Sequence, residues 1–130
     1  MADIKIATEW IEQADEDFLF ALSNLEEQDK FYAKICFHFQ QAGEKYLKAF
    51  IILHDLPFKK IHNLVLLLEI CSKKDDSFNE LLEETKVLNV FYIDTRYPAF
   101  WPVGATRKEA EKAKEAAESI GKFVKKKIGL

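Results

Sequence analysis

Residues 92–102 read YIDTRYPAFWP, and this segment concentrates side chains that could bind a nucleotide. One of the chain's two arginines, Arg96, lies there beside Tyr97 and four residues after Tyr92. A guanidinium group can hold phosphate oxygens in a bidentate manner, and a tyrosine ring can stack on a base. A structural role is the alternative, in which Arg96 pairs with Asp94 or with an acid of the first helix. The residue types leave both roles open.

Three more polar residues are candidates for the same ligand. Lys45 and Lys48 are set into the most apolar helical pattern of the chain, in the stretch FHFQQAGEKYLKAF, and could face an anion. Glu44 lies four residues before Lys48, a spacing that also suits a purely structural ion pair. His62 either begins the following helix or lies in the same polar pocket as Arg96.

Signatures of common enzyme classes are absent from the sequence. There is no glycine-rich phosphate loop, no GxSxG and no HExxH, and no histidine has a second ligand at metal-binding spacing. Cys36 and Cys71 occur singly within apolar helical patterns, which predicts core thiols in a reducing compartment. We therefore expect no catalytic residue, no metal and no cofactor.

The apolar residues recur at helical spacing throughout the chain, and no stretch alternates with the period of a strand. The pattern predicts one all-α domain over residues 1–130, an up-and-down bundle of four long helices and one short helix. The predicted helices cover residues 5–27, 30–54, 62–73, 78 to just before Pro98, and, after a capping box of Thr106 and Glu109, residues up to 128.

The net charge of −3 argues against a protein that coats nucleic acid through bulk charge. The charge is uneven, because residues 1–30 hold nine acids against two lysines, whereas residues 106–130 hold eight bases against four acids. Two terminal helices that attract each other would explain this, and a basic tail that contacts an anionic partner is the alternative. A signal peptide and a membrane-spanning run are both absent, so we expect a cytoplasmic protein without a membrane partner.

The segment QQAGEKYLKA, residues 40–49, resembles the HEPN domain (higher eukaryotes and prokaryotes nucleotide-binding). WIEQADEDFLFAL in the first helix, KIHNLVLLL at residues 60–68 and YIDTRYP at residues 92–98 resemble further segments of that family, in the same order. The resemblance covers nearly the whole chain and implies a HEPN-like bundle that forms a homodimer. Gly43 departs from the alanine that is usual in the family, and a glycine within a helix costs about 1 kcal/mol relative to alanine.

The resemblance also bears on function, because the family divides into two branches. Many members are ribonucleases with an Arg-x4–6-His motif, but no histidine follows either Arg96 or Arg107 in this chain. The other branch carries Arg-Tyr-Pro, is commonly encoded beside a minimal nucleotidyltransferase, and is thought to dimerise and to bind nucleotide or present substrate to that partner.

We therefore predict a non-catalytic nucleotide-binding and partner module that acts with a minimal nucleotidyltransferase in trans, in a toxin–antitoxin-like pair. An unconventional or degraded HEPN ribonuclease is one alternative, and a structural dimerisation scaffold is the other. In the predicted module Arg96 holds phosphate, Tyr97 or Tyr92 stacks on the base, and further donors come from Lys45, Lys48 and His62.

Overall fold

The computed structural model describes residues 4–27, 29–57, 60–92 and 105–130, and these residues form a helical bundle without strands. The prediction of an all-α fold is confirmed. The elements in chain order are α1 (Ile4–Glu27), α2 (Tyr32–Leu53), α3 (Leu64–Lys74), a 3-10 helix (Asp76–Leu81), α4 (Leu82–Asn89) and α5 (Arg107–Ile128).

The central element is α2, as its nearly continuous apolar surface predicts. It packs against α1, α3, α4 and α5, and its Phe39, Leu47 and Ile51 are completely buried. Alanines on the facing sides of α1 and α5, such as Ala14 and Ala117, are also fully buried, and their small side chains allow close helix approach. Polar groups that point inward from α2 are therefore enclosed on several sides.

Two glycines admit larger side chains from neighbouring helices. A Cβ added to Gly43 of α2 would lie 2.8 Å from Leu88 Cδ1 of α4. A Cβ added to Gly121 of α5 would lie 2.8 Å from the ring of Tyr46. The glycine that departs from the family pattern thus makes room for α4 against the central helix.

The termini of α5 agree with the local sequence signals. Thr106 and Glu109 form the predicted capping box, in which the Thr106 hydroxyl accepts from the Glu109 backbone N–H and the Glu109 carboxylate accepts from the Thr106 N–H. Gly129 ends the helix in the left-handed region, at φ 84°. The two charged terminal helices pack against each other, and Lys125 Nζ lies 2.8 Å from Asp15 Oδ1.

Two predicted boundaries were wrong. The third helix begins at Leu64 instead of His62, because Asn63 is its N-cap and its side chain accepts hydrogen bonds from the backbone N–H groups of Val65 and Leu66. The fourth begins as a 3-10 helix capped by Asp75, and α4 ends at Asn89, so Tyr92 lies beyond the helix that was predicted to contain it. Among the described helices, none is both long and apolar enough to cross a membrane.

Candidate functional site

Three polar side chains of α2 are buried in the bundle. Gln40, Glu44 and Lys48 are each at most 5% exposed. Lys48 Nζ donates to Glu44 Oε2 at 2.8 Å, and Gln40 Nε2 lies 3.3 Å from Glu44 Oε1. Burying an ion pair costs desolvation free energy, so both charged groups need close ionic and hydrogen-bond partners to offset that cost. The Glu44 carboxylate is the acceptor at the centre of this group.

His62 connects the buried group to the surface. Its Nδ1 lies 3.1 and 3.3 Å from the two oxygens of Glu44, and its backbone carbonyl accepts from Gln40 Nε2 at 3.3 Å. A carboxylate only accepts, so with Glu44 ionised the imidazole carries a hydrogen on Nδ1. The His62 side chain remains 46% exposed. Among the described residues its second nitrogen, Nε2, has no hydrogen-bond partner, and it can exchange a proton or contact a ligand.

Tyr92 completes an aromatic pair at this position. The rings of His62 and Tyr92 are stacked, with centroids 4.7 Å apart and planes inclined by 10°. Tyr92 is 37% exposed. On the buried side, Lys48 Nζ lies 5.8 Å from the centre of the Trp10 ring, within range of a cation–π interaction. We call Gln40, Glu44, Lys48, His62 and Tyr92 the His62 site.

A pair of asparagines joins the two chain segments that carry the stacked rings. Asn89 Oδ1 accepts from the Leu64 backbone N–H at 2.8 Å, and Asn89 Nδ2 donates to Asn63 Oδ1 at 3.2 Å. Asn63 directly follows His62, and Tyr92 lies three residues beyond Asn89. The start of α3 and the end of α4 are thereby joined close to both aromatic residues.

Lys45 belongs to a different cluster, between α1 and α2. Its ammonium donates to Asp17 Oδ2, and His38 Nδ1 lies 3.2 Å from Asp17 Oδ1. Burial opposes ionisation of Asp17, but the hydrogen bonds from His38 and Lys45 outweigh it, so the pKa of this carboxyl is below its ordinary value. Asp17 thus resembles Glu44, because each carboxylate contacts one histidine and one lysine.

The structure brings together Lys48, His62 and Tyr92 of the predicted ligand contacts and separates Lys45 from them. Arg96 and Tyr97 lie outside the described residues. The assignment of all six as ligand contacts stays a prediction. From the sequence, Glu44 was considered only as an ion-pair partner of Lys48, and its contact with His62 was missed. The signal was its position in so apolar a helix, because a buried carboxylate needs several hydrogen-bond donors.

The sequence pattern that defines the HEPN domain matches residues 7–127. The chain belongs to the HEPN domain family. The crystal structure of ST0689, described as an archaeal HEPN homologue, is similar to this HEPN domain with a TM-score of 0.72. The two are 24% identical, and the match covers 94% of this chain and 97% of that chain, so the likeness is one of fold. Comparison with curated proteins gave no match.

The described part of this HEPN domain contains no group of three or more histidine, cysteine or acidic side chains arranged to hold a metal ion. What the His62 site offers is an aromatic stack, a histidine fixed by a carboxylate, and a buried lysine beneath it.

Proposed function

We propose that this HEPN protein is a non-catalytic nucleotide-binding and partner module that acts with a minimal nucleotidyltransferase supplied in trans, in a toxin–antitoxin-like pair. The observation that carries the proposal is the stacked pair of His62 and Tyr92, which are 46% and 37% exposed and whose imidazole is held by Glu44. Stacking on aromatic rings is the contact through which proteins bind bases without strict sequence preference, at about 1–3 kcal/mol per base.

The buried ion pair supports a ligand role for His62. Replacing a buried ion pair with well-packed apolar residues is often neutral or stabilising, so stability gives little reason to place Glu44 and Lys48 in the core. Their arrangement has a second effect, because Glu44 contacts His62 Nδ1 with both oxygens and fixes the plane of the imidazole. A ring held in one plane is a better stacking partner than one that rotates.

The position of the His62 site in the chain fits the rest of the proposal. Tyr92 begins the segment that contains Arg96 and Tyr97, so a nucleotide base on the stack would lie near the start of that segment. In this proposal Arg96 contacts the phosphate. The sequence holds no Arg-x4–6-His motif, which favours the partner module over a nuclease of the usual family mechanism.

Calorimetric titration with ATP, GTP and a short RNA tests nucleotide binding. We expect the wild type to bind at least one of them, and Tyr92→Leu, His62→Ala and Arg96→Ala to weaken that binding while the helical circular dichroism is kept. His54→Ala is a matched control, since His54 directly follows α2 and lies ten residues, or about 15 Å, beyond Glu44. If the wild type binds none of the three ligands, a structural dimerisation scaffold becomes the better interpretation.

The proposed interaction with a minimal nucleotidyltransferase needs a separate experiment. The protein is co-expressed with a minimal nucleotidyltransferase, and the complex is sought by affinity purification and size-exclusion chromatography. A stable complex is expected, and its absence with a folded nucleotidyltransferase would contradict the partner half of the proposal.

One observation favours a second candidate, an unconventional ribonuclease. A histidine whose Nδ1 is held by a carboxylate is the arrangement used for proton transfer, and the exposed His62 imidazole could serve in this way. Incubation of purified protein with RNA distinguishes the two functions. Cleavage that is lost in both His62→Ala and Arg96→Ala would support the nuclease. RNA that stays intact would exclude this nuclease activity and favour the partner module.

A further inference from the structure

A second polar cavity lies between α1 and α2, apart from the His62 site. Its volume is about 340 Å³. We call it the His38 pocket and define it by its lining residues, which are Gln13, Glu16, Asp17, Phe20, His38 and Lys45. None of these residues belongs to the His62 site, so the pocket is a separate candidate for a ligand.

The charges within the His38 pocket leave one carboxylate uncompensated. Asp17 accepts from Lys45 with one oxygen and contacts His38 Nδ1 with the other, so the charges of Asp17 and Lys45 cancel. Glu16 accepts a hydrogen bond from Gln13 Nε2 at 2.8 Å, but it forms no ion pair with any described residue. The pocket therefore carries a net negative charge, located on the exposed Glu16 side chain.

The free hydrogen-bonding capacity of the pocket is mainly that of an acceptor. With Asp17 ionised, the His38 hydrogen lies on Nδ1, and Nε2 is an acceptor that no residue in the described part of the chain contacts. The Lys45 ammonium donates to Asp17, and the Gln13 amide donates to Glu16. A ligand would thus meet acceptors and a negative charge, which suits a cation and disfavours a phosphate.

An aromatic ring adds a preference for the kind of cation. Phe20 lines the pocket and is 54% exposed, and its ring lies at 64° to the His38 imidazole with centroids 4.7 Å apart. Cations are attracted to the face of an aromatic ring, and a guanidinium group, which is planar and weakly hydrated, also stacks on it. Its five N–H donors suit a pocket whose free groups are acceptors.

The charge of the first helix favours a cation as well. Residues 1–30 hold nine acids against two lysines. In the structure Asp15 pairs with Lys125 of α5, whereas Glu16 on the next position has no cationic partner among the described residues. A surface with an excess of one charge raises the local concentration of an oppositely charged partner.

The His38 pocket is open on the surface, because Glu16 and Phe20 are both exposed. Pockets for free small molecules usually enclose most of the ligand. An open pocket is better suited to the end of a side chain whose remainder belongs to another protein. We infer that the His38 pocket binds the guanidinium group of an arginine side chain of a partner protein, independently of nucleotide binding at the His62 site.

Nuclear magnetic resonance titration with N-acetyl-arginine amide, which carries a guanidinium group without charged termini, tests the inference. We expect a saturable shift of the His38 imidazole signals. N-acetyl-citrulline amide has nearly the same shape without the charge, and it should bind about tenfold more weakly or less. N-acetyl-lysine amide distinguishes a guanidinium from an ammonium group, and it should also bind more weakly than the arginine probe.

Two variants locate the binding. Glu16→Gln should raise the dissociation constant of the arginine probe by about tenfold or more, because it removes the uncompensated charge. Glu9→Gln is the matched control, since it removes the same charge from an exposed position of α1 seven residues, or about 10 Å, before Glu16. It should leave the dissociation constant nearly unchanged, and circular dichroism checks that both variants are folded.

Four results would each overturn the inference. They are a wild type without a saturable shift, equal binding of the arginine and citrulline probes, tighter binding of the lysine probe, and equal weakening by Glu16→Gln and Glu9→Gln.

Discussion

Glu44 brings a negative charge into the most buried helix, where three donors converge on its carboxylate. Removing an ion from water costs several kcal/mol, and only close partners offset that cost. Asp17 shows a related solution nearer the surface, where His38 and Lys45 share its two oxygens. In both clusters a carboxylate fixes the ring of a histidine while a lysine neutralises the charge.

The Glu44–Lys48 pair leads to a prediction about stability. Glu44→Leu removes the carboxylate that offsets the buried Lys48 charge, and we expect it to lower the free energy of unfolding by about 3 kcal/mol. The double variant Glu44→Leu/Lys48→Met should regain most of this loss, because no charge is then buried. Urea denaturation of the wild type and both variants measures the effect, and a double variant less stable than the single one would contradict it.

The two cysteines lead to a prediction about reactivity. Burial raises the pKa of Cys36 and of Cys71 to about 12, and neither side chain reaches solvent. The thiolate is the reactive form, so both cysteines should resist a disulfide reagent at pH 8 in the folded protein and react fully in urea. Reaction of either thiol on mixing, without denaturant, would contradict the burial of that cysteine in the folded protein.

At the scale of the helices, glycine sets how closely neighbours approach. Gly121 faces the Tyr46 ring, which Asp15 holds through the phenolic hydroxyl. Gly43 faces only the flexible end of the Leu88 side chain at short distance. A rigid ring cannot yield to an added methyl group, whereas a leucine can change its rotamer.

The two glycines therefore give a matched pair of variants. Gly121→Ala should lower the free energy of unfolding by about 1–2 kcal/mol, because the clash with Tyr46 exceeds the gain in helix propensity. Gly43→Ala should stay within about 0.5 kcal/mol of the wild type, since the propensity gain offsets a small shift of Leu88. Thermal and urea unfolding compare them, and a reversed order would show that α4 is the more rigid neighbour.

The junction between α3 and the 3-10 helix should respond to acid. Hydrogen bonds from Lys127 and Ser77 lower the pKa of Asp75 to about 2 from the model-compound value of 3.8. A carboxyl with a lowered pKa stabilises the folded state above its unfolded pKa, and this contribution is lost as the pH falls from about 4 to about 2. Asp75→Asn should thus be less stable than the wild type at pH 7, with a difference that shrinks toward pH 2.

Asp76→Asn is the control for this variant, because the Asp76 carboxylate makes no hydrogen bond or ion pair with the described residues. Asp76→Asn removes the same charge from the neighbouring position without changing the Lys127 pair, so its urea midpoint at pH 7 should stay close to that of the wild type. A difference between Asp75→Asn and the wild type that stays constant with pH would contradict the role of the Lys127 pair.

At the scale of the whole molecule, local signals predicted the elements and missed the contacts between them. The capping box at Thr106 was predicted because all its groups lie within four residues. The end of α4 at Asn89 was missed because it coincides with hydrogen bonds to Leu64 and Asn63, more than twenty residues away in sequence. Apolar spacing also does not separate a 3-10 turn from an α turn.

The site was only partly predictable for a related reason. Lys45 and Lys48 are about 60° apart around α2, and they looked equivalent in the sequence. Their different roles depend on which neighbour each one meets, Asp17 of α1 for Lys45 and the buried Glu44 for Lys48. From the sequence, His62 and Tyr92 were grouped only as candidate contacts of one ligand, and the stack itself is visible only in the structure.

The packing of α2 against all the other α-helices leads to a prediction for the whole molecule. Removing any one helix exposes part of the same core, so unfolding should be a single cooperative transition. Tryptophan fluorescence and far-ultraviolet circular dichroism should give the same urea midpoint. Two separate midpoints would show that part of the bundle unfolds independently.

The asparagine pair that joins α3 to α4 has a kinetic consequence. Asn63 and Asn89 set the spacing of His62 and Tyr92 before any ligand arrives, since each ring is within three residues of that bridge. A planar ligand would then bind in a single step, because the two rings would need no rearrangement. In stopped-flow experiments the observed association rate would rise in proportion to ligand concentration without reaching a plateau, and Asn89→Ala would introduce the slow isomerisation that the native bridge avoids.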